Sequence, residues 1–155
     1  MKKVLKIVAV VLFAFFVAIQ FVRPNRKKTA IVQAETIELA NEIPEDARSI
    51  FERSCSDCHT NATAYPWYSN VTPFNWLLAN HIREGRGELN FSVWNTYEPR
   101  RKRRKLDQIC EQITDGEMPL PSYLWIHQTA KLSSDEVKIL CDWTEFEKAR
   151  RAGNQ

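Results

Sequence analysis

The chain has 155 residues, 44% of them hydrophobic and 26% charged, with four cysteines, seven prolines and only four glycines. That length suits one domain, and the scarcity of glycine argues against a sheet of many tight turns, so the fold class read here is all-α. The formal charge of +3 is misplaced evidence for nucleic acid, because residues 1–28 hold seven Lys and Arg and no acid; the remaining 15 basic residues face all 19 acidic ones, a net of −4.

In chain order, Val4 to Val22 is apolar apart from Lys6 and Gln20. Nineteen residues of helix rise about 28 Å, near the thickness of a bilayer's hydrocarbon core. Its end, Ala18-Ile19-Gln20-Phe21-Val22, offers bulky side chains where signal cleavage wants small ones. Residues 1–28 are therefore expected to be a retained signal anchor, a transmembrane helix with basic flanks. Lys2, Lys3 and Lys6 nearly balance Arg23, Arg26, Lys27 and Lys28, so charge alone does not orient it. Residues 29–43 have no strong period and read as a tether.

A working domain is expected over residues 44–150. Pro44 suits a first helical turn, Glu45 and Asp46 complement the helix dipole, and Ala47, Ile50, Phe51, Ser54, Cys55 and Cys58 recur on one face. One helix is thus expected to deliver both thiols to one side. It ends in Cys55-Ser56-Asp57-Cys58-His59, the arrangement by which a c-type haem is attached: the thiols add to the haem vinyl groups and the imidazole ligates iron. A bare Cys-x-x-Cys also serves zinc sites and redox dithiols. Zinc would want a second ligand pair, whereas Cys110, Cys141, His81 and His127 are scattered; a thioredoxin-like site would want a preceding strand, and none is indicated.

Tyr65, Trp67 and Tyr68 then put three large rings into four positions, either over a cofactor edge or in plain core packing. Pro73 to Glu84 reads as a helix ended by Gly85 and Gly87, with His81 on it as an alternative sixth iron ligand. Arg100 to Thr114 is a further helix, its apolar stripe being Leu106, Ile109, Cys110 and Ile113. It opens with six consecutive cations, Arg100 to Lys105, either a solvated face or a docking patch for an acidic partner or phospholipid. In Asp115-Gly116-Glu117-Met118-Pro119-Leu120-Pro121, Gly116 stops that helix and the prolines stiffen the segment after it. Met118 is thereby suited to approach iron opposite His59, and thioether ligation raises the reduction potential. His127 is a third, weaker candidate. Ser133 and Glu136 form a capping box for a last helix that carries Val137, Leu140 and Cys141. Cys110 and Cys141 are expected either to pair, if their helices touch, or to pack as free apolar thiols.

With these stretches in view, the chain resembles a bacterial haem-binding domain family of membrane-anchored, c-type-cytochrome-like proteins with a single Cys-x-x-Cys-His. The resemblance rests on Cys55 to His59, Tyr65 to Ser69, Trp76-Leu77-Leu78 with His81 and Glu84-Gly85-Arg86, Leu89 to Ser92, Gly116 to Leu120, and Ala130 to Ser133. It implies one covalent haem c, with its iron, in a small cytochrome-c-like helical domain behind the anchor. The expected cofactor-binding set is Cys55, Cys58, His59 and Met118, with His59 and Met118 on the metal. The expected function is single-electron transfer rather than catalysis, with redox proteins of the cell envelope as partners. The alternative is a small-ligand sensor or peroxidase with a displaceable sixth ligand. Haem attachment takes place outside the bacterial cytoplasmic membrane, which places the domain on the periplasmic side of the inner membrane.

Overall fold

The computed structural model describes residues 1–24, 26, 31–37 and 43–153, and every regular element among them is helical. The α-helical segments bounded among the described residues are α1 Lys2–Ile19, α2 Glu45–Ser54, α3 Ser56–His59, α4 Phe74–Glu88, α5 Pro99–Thr114, α6 Pro121–Leu124 and α7 Ser134–Ala152, with short 3₁₀ turns at four of the junctions. The all-α expectation holds.

Helix α1 contains no buried residue. Its start takes in Lys2, Lys3 and Lys6, it ends at Ile19 rather than Val22, and no helix among the described residues is long and apolar enough to cross a membrane. The membrane-crossing helix expected over residues 4–22 is therefore not found. The lysines dilute the apolar run, which is uninterrupted only from Ile7 to Ile19.

The segment expected as a tether contributes to the core where it is described. Ile37 and Ile43 are buried, and the 3₁₀ turn Gln33–Glu35 lies against Phe91–Thr96, where Asn95 Nδ2 donates to the Ala34 carbonyl at 2.8 Å. Residues 29, 30 and 38–42 of that segment lie outside the described residues.

The main core is a layer between α2, α5 and α7, with Ala47, Ile50, Phe51, Trp94, Leu106, Ile109, Ile113, Leu140 and Trp143 buried together. Phe51 sits edge-on to both Phe91 and Trp143, at 5.3 and 5.1 Å between ring centres. Such ring pairs are worth about 0.5–1.5 kcal/mol beyond their buried area. Helix α7 packs most extensively along α5 and also against α2. It starts at the expected capping box, Ser133 Oγ accepting from Glu136 N at 3.2 Å while Glu136 Oε2 accepts from Ser133 N at 2.9 Å. Cys110 on α5 and Cys141 on α7 are disulfide-bonded, their α-carbons 4.9 Å apart. Of the two fates left open for these thiols, pairing is the one adopted, because α5 and α7 are neighbours.

A second, smaller cluster of Tyr68, Leu78 and Ile82 lies under α4. The two clusters are bridged by the cysteine motif: Cys55 packs on the main core and Cys58 on the smaller one.

Candidate functional site

Helix α2 does not carry both thiols. It ends at Ser54, where Cys55 leaves helical geometry (φ −124°, ψ −36°), and the motif continues as the separate turn α3. The Cys55 carbonyl accepts from Cys58 N at 3.2 Å and His59 N at 3.0 Å. A straight helix would have kept both thiols on one core; the break sends Cys58 and His59 toward α4. Burial pushes the Cys55 thiol up to about 12 and, with the nearby Asp57 carboxylate, the Cys58 thiol up to about 11. Both cysteines are free thiols, and at neutral pH both stay protonated, unlike the acidified nucleophile of a redox dithiol.

Helix α4 runs through Gly85 and Gly87 to Glu88, beyond the expected stop. Gly85 is where the motif rests on it: a Cβ there would stand 3.1 Å from the Cys58 carbonyl oxygen. The close approach outweighs the helix-propensity cost of glycine, about 1 kcal/mol. The end of α4 also orients His59, whose Nδ1 lies 3.1 Å from the Gly85 carbonyl and 2.9 Å from the Leu89 carbonyl. Carbonyls only accept, so Nδ1 carries the hydrogen and Nε2 keeps its lone pair. Burial lowers the His59 pKa, which favours that neutral form. Arg86 fastens the loop after the motif to the same helix, donating to Thr60 O and Thr63 Oγ1, each at 2.8 Å.

Gly116 ends α5 at φ +73°, and the Gln112 carbonyl then accepts from both Glu117 N at 3.0 Å and Met118 N at 3.1 Å. Met118 is thus fixed on a non-helical loop, as the glycine and prolines predict.

Two adjoining cavities, about 190 and 340 Å³, open between these elements and share Cys55, His59, Glu88, Ile113 and Met118 as walls. The smaller reaches Cys58, His81, Leu120 and Tyr123; the larger reaches Phe91, Lys105 and Ile109. Three of the four expected cofactor residues therefore line both cavities, Cys58 lines the smaller, and His81 lines only the smaller. His127 lines neither: its Nε2 bonds Tyr68 Oη at 2.8 Å and its ring stacks on Tyr123 at 4.2 Å. Of the three loop rings, only Tyr68 packs inward, whereas Trp67 is 76% exposed.

Sequence reasoning missed two contributors. Lys105, read as part of a basic run, is buried at the larger cavity, its Nζ 2.9 Å from Gln108 Oε1 and 3.6 Å from Glu88 Oε2. The signal was there, since Lys105 lies four residues before Ile109 on the apolar stripe, while Arg100, Arg101, Arg103 and Arg104 face solvent. Tyr123, at the smaller cavity, donates to Asp57 Oδ2 at 2.9 Å and ties α6 to the cysteine motif; burial and this bond raise its pKa. Among the described residues, no three of His, Cys, Asp and Glu gather as a metal-binding cluster.

Compared with known protein families, residues 14–146 match the haem-binding domain family. The chain belongs to that family. No curated protein and no solved structure matches it. The walls fit the cofactor that a haem-binding domain takes: the cavities together fall within the range of about 300–1,000 Å³ typical of ligand sites, and their lining is largely apolar. A nitrogen lone pair at His59, a thioether at Met118 and two unpaired thiols are the donor set that haem-c chemistry uses. The family match reaches back into α1, well before the expected domain start at residue 44.

Proposed function

We propose that this haem-binding domain protein is a monohaem c-type carrier of single electrons, held at the outer face of a bacterial inner membrane. The observation that carries this reading is the pair of hydrogen bonds at His59, which leaves Nε2 free beside two cavities that Met118 also lines. A bound haem supplies a one-electron Fe(III)/Fe(II) couple. In this reading Cys55 and Cys58 form the thioethers, and His59 ligates iron with its basicity raised by the two carbonyls. Met118 would be the second protein ligand to iron, favoured over His81 because it lines both cavities. Lys105 is a buried cation available to the carboxylate side chains of the haem. With His59 and Met118 both holding the iron, a bound haem would offer a substrate no open position, which makes this reading one of a carrier rather than a catalyst.

The envelope setting is supported by the Cys110–Cys141 disulfide, a bond that persists in oxidising compartments. Membrane attachment is supported by α1 itself. A helix apolar on all sides and buried nowhere needs cover, and its lysines cluster at one end, where long side chains reach the head groups. Redox proteins of the envelope are the partners this reading implies.

Visible spectra of the reduced and oxidised protein, with and without carbon monoxide, test the carrier reading. The carrier gives low-spin spectra that carbon monoxide leaves unchanged, and a weak far-red ferric band of sulfur ligation that Met118→Ala removes. Ready carbon monoxide binding by the unaltered protein instead supports the sensor or peroxidase alternative. Loss of the low-spin state in His81→Ala but not in Met118→Ala assigns the sixth position to His81.

A further inference from the structure

The C-terminal end of α1 is fastened to one edge of the domain. Gln20 exchanges two hydrogen bonds with the Thr72 backbone, donating to its carbonyl at 3.0 Å and accepting from its N–H at 2.9 Å. Trp76 Nε1 donates to the Val22 carbonyl at 2.8 Å. Arg26 donates to the Ser69 carbonyl and lies 4.8 Å from the centre of the Tyr65 ring. Around this junction the surface is apolar: Trp67, Phe74 and Leu77 are 76%, 52% and 52% exposed, beside Phe21 and Val22 at 83% and 59%.

The pattern along α4 gives this patch a direction. At 100° per residue, Asn75, Leu78 and Ile82 form the buried face, and Phe74, Trp76 and Leu77 fill the outward arc of the first turn. One to two turns on, the side turned away from the cavity carries Asn80 and Arg83, while Glu84 borders the smaller cavity. The outer face of α4 thus changes from apolar to polar with distance from the end of α1. Plain core packing does not require an exposed Trp, Phe and Leu together, and a patch of this kind marks an interaction surface.

We propose that this edge, formed by Trp67, Phe74, Trp76 and Leu77, lies in the interfacial layer of the phospholipid bilayer that holds α1. The inference rests on the proposed membrane attachment. A bilayer is the occupant that continuity selects, because the patch adjoins the end of the apolar helix. Tryptophan, with an apolar body and a polar edge, is the residue enriched at that depth, and Arg23 and Arg26 stand where lipid phosphates lie. The arrangement fixes the domain against the membrane on its α4 side. The buried face of α4, through Leu78 and Ile82, packs on Cys58, while His81, Glu84 and Glu88, on the helix row that continues from Leu77, border the candidate haem cavity, so the patch adjoins the α4 wall of that cavity.

The test places a nitroxide at Trp67→Cys, at Leu77→Cys and, as a control at an exposed position of α7, at Lys138→Cys, in full-length haem-loaded protein reconstituted into phosphatidylcholine and phosphatidylglycerol vesicles. Haem retention and flotation with vesicles are measured separately. The proposal expects labels at 67 and 77 to lose accessibility to a water-soluble nickel chelate and gain it to oxygen, with the label at 138 unchanged. Protein that floats with vesicles but shows all three labels equally open to the chelate overturns it, with the haem reading untouched. Label-to-label broadening at 67 and 77 that disappears on dilution among unlabelled protein, without a gain in oxygen access, overturns it in favour of a second copy of this chain. Haem-loaded protein that does not float removes both the membrane attachment and this inference.

Discussion

A side chain added at Gly85 would meet Cys58: its Cβ would lie 3.1 Å from the Cys58 carbonyl oxygen and 3.3 Å from the Cys58 Cβ, whereas a Cβ at Gly87 meets nothing within 4 Å. Both glycines lie in α4, so alanine gains about 1 kcal/mol of helix propensity at either. At Gly85 that gain is opposed by overpacking of about 1–3 kcal/mol against the backbone of the cysteine motif. Gly87→Ala should therefore stabilise by about 1 kcal/mol in urea unfolding, and Gly85→Ala should be neutral to about 2 kcal/mol destabilised and load less haem. Equal stabilisation by both substitutions would show that α4 and the motif can part without cost.

The Cys110–Cys141 bond spans a sequence separation of 31 and encloses Met118 in its loop. In the chain-entropy account such a cross-link contributes about 3–4 kcal/mol. Reduction, or Cys141→Ser, should lower the unfolding free energy by about that amount. Urea titrations with and without reductant measure it, and an unchanged midpoint would mean the thiols are unpaired in the purified protein.

Partial burial lowers the His59 pKa, which fixes the sign of a pH effect in the haem-free protein. The unfolded chain takes up a proton near the ordinary imidazole value of about 6.5, and the folded one only at lower pH. Between those two values the unfolded state binds more protons, so stability falls as pH drops. The contribution is fully present above about pH 6.5 and is lost as pH falls through the folded pKa, with a slope of at most about 1.4 kcal/mol per pH unit. Urea unfolding across that range should show the slope and should lose it in His59→Asn. A flat profile would mean that His59 is solvated.

Much of the site could be read from the chain because its elements are local. The Cys55 to His59 spacing, the turn at Gly116 that frees Met118, and the Ser133–Glu136 cap each depend on neighbours within a few residues. The features that escaped depend on distant contacts. Gly85 does not end α4, because Cys58 packs where a side chain would stand. The break at Cys55 reflects the two thiols joining separate clusters. Ile37 and Ile43 look like tether residues until the core they enter is known. Lys105 was hidden by its five cationic neighbours, although its place on the apolar stripe of α5 marked it.

Acid–acetone extraction of the purified, haem-loaded protein tests the central claim most directly, because it asks whether the haem is bonded to Cys55 and Cys58 or only seated between His59 and Met118. The account predicts that the haem stays with the precipitated polypeptide, that Cys55→Ala or Cys58→Ala alone weakens retention, and that the double substitution releases all of it. Haem that passes into the acetone from the unaltered protein would contradict covalent attachment.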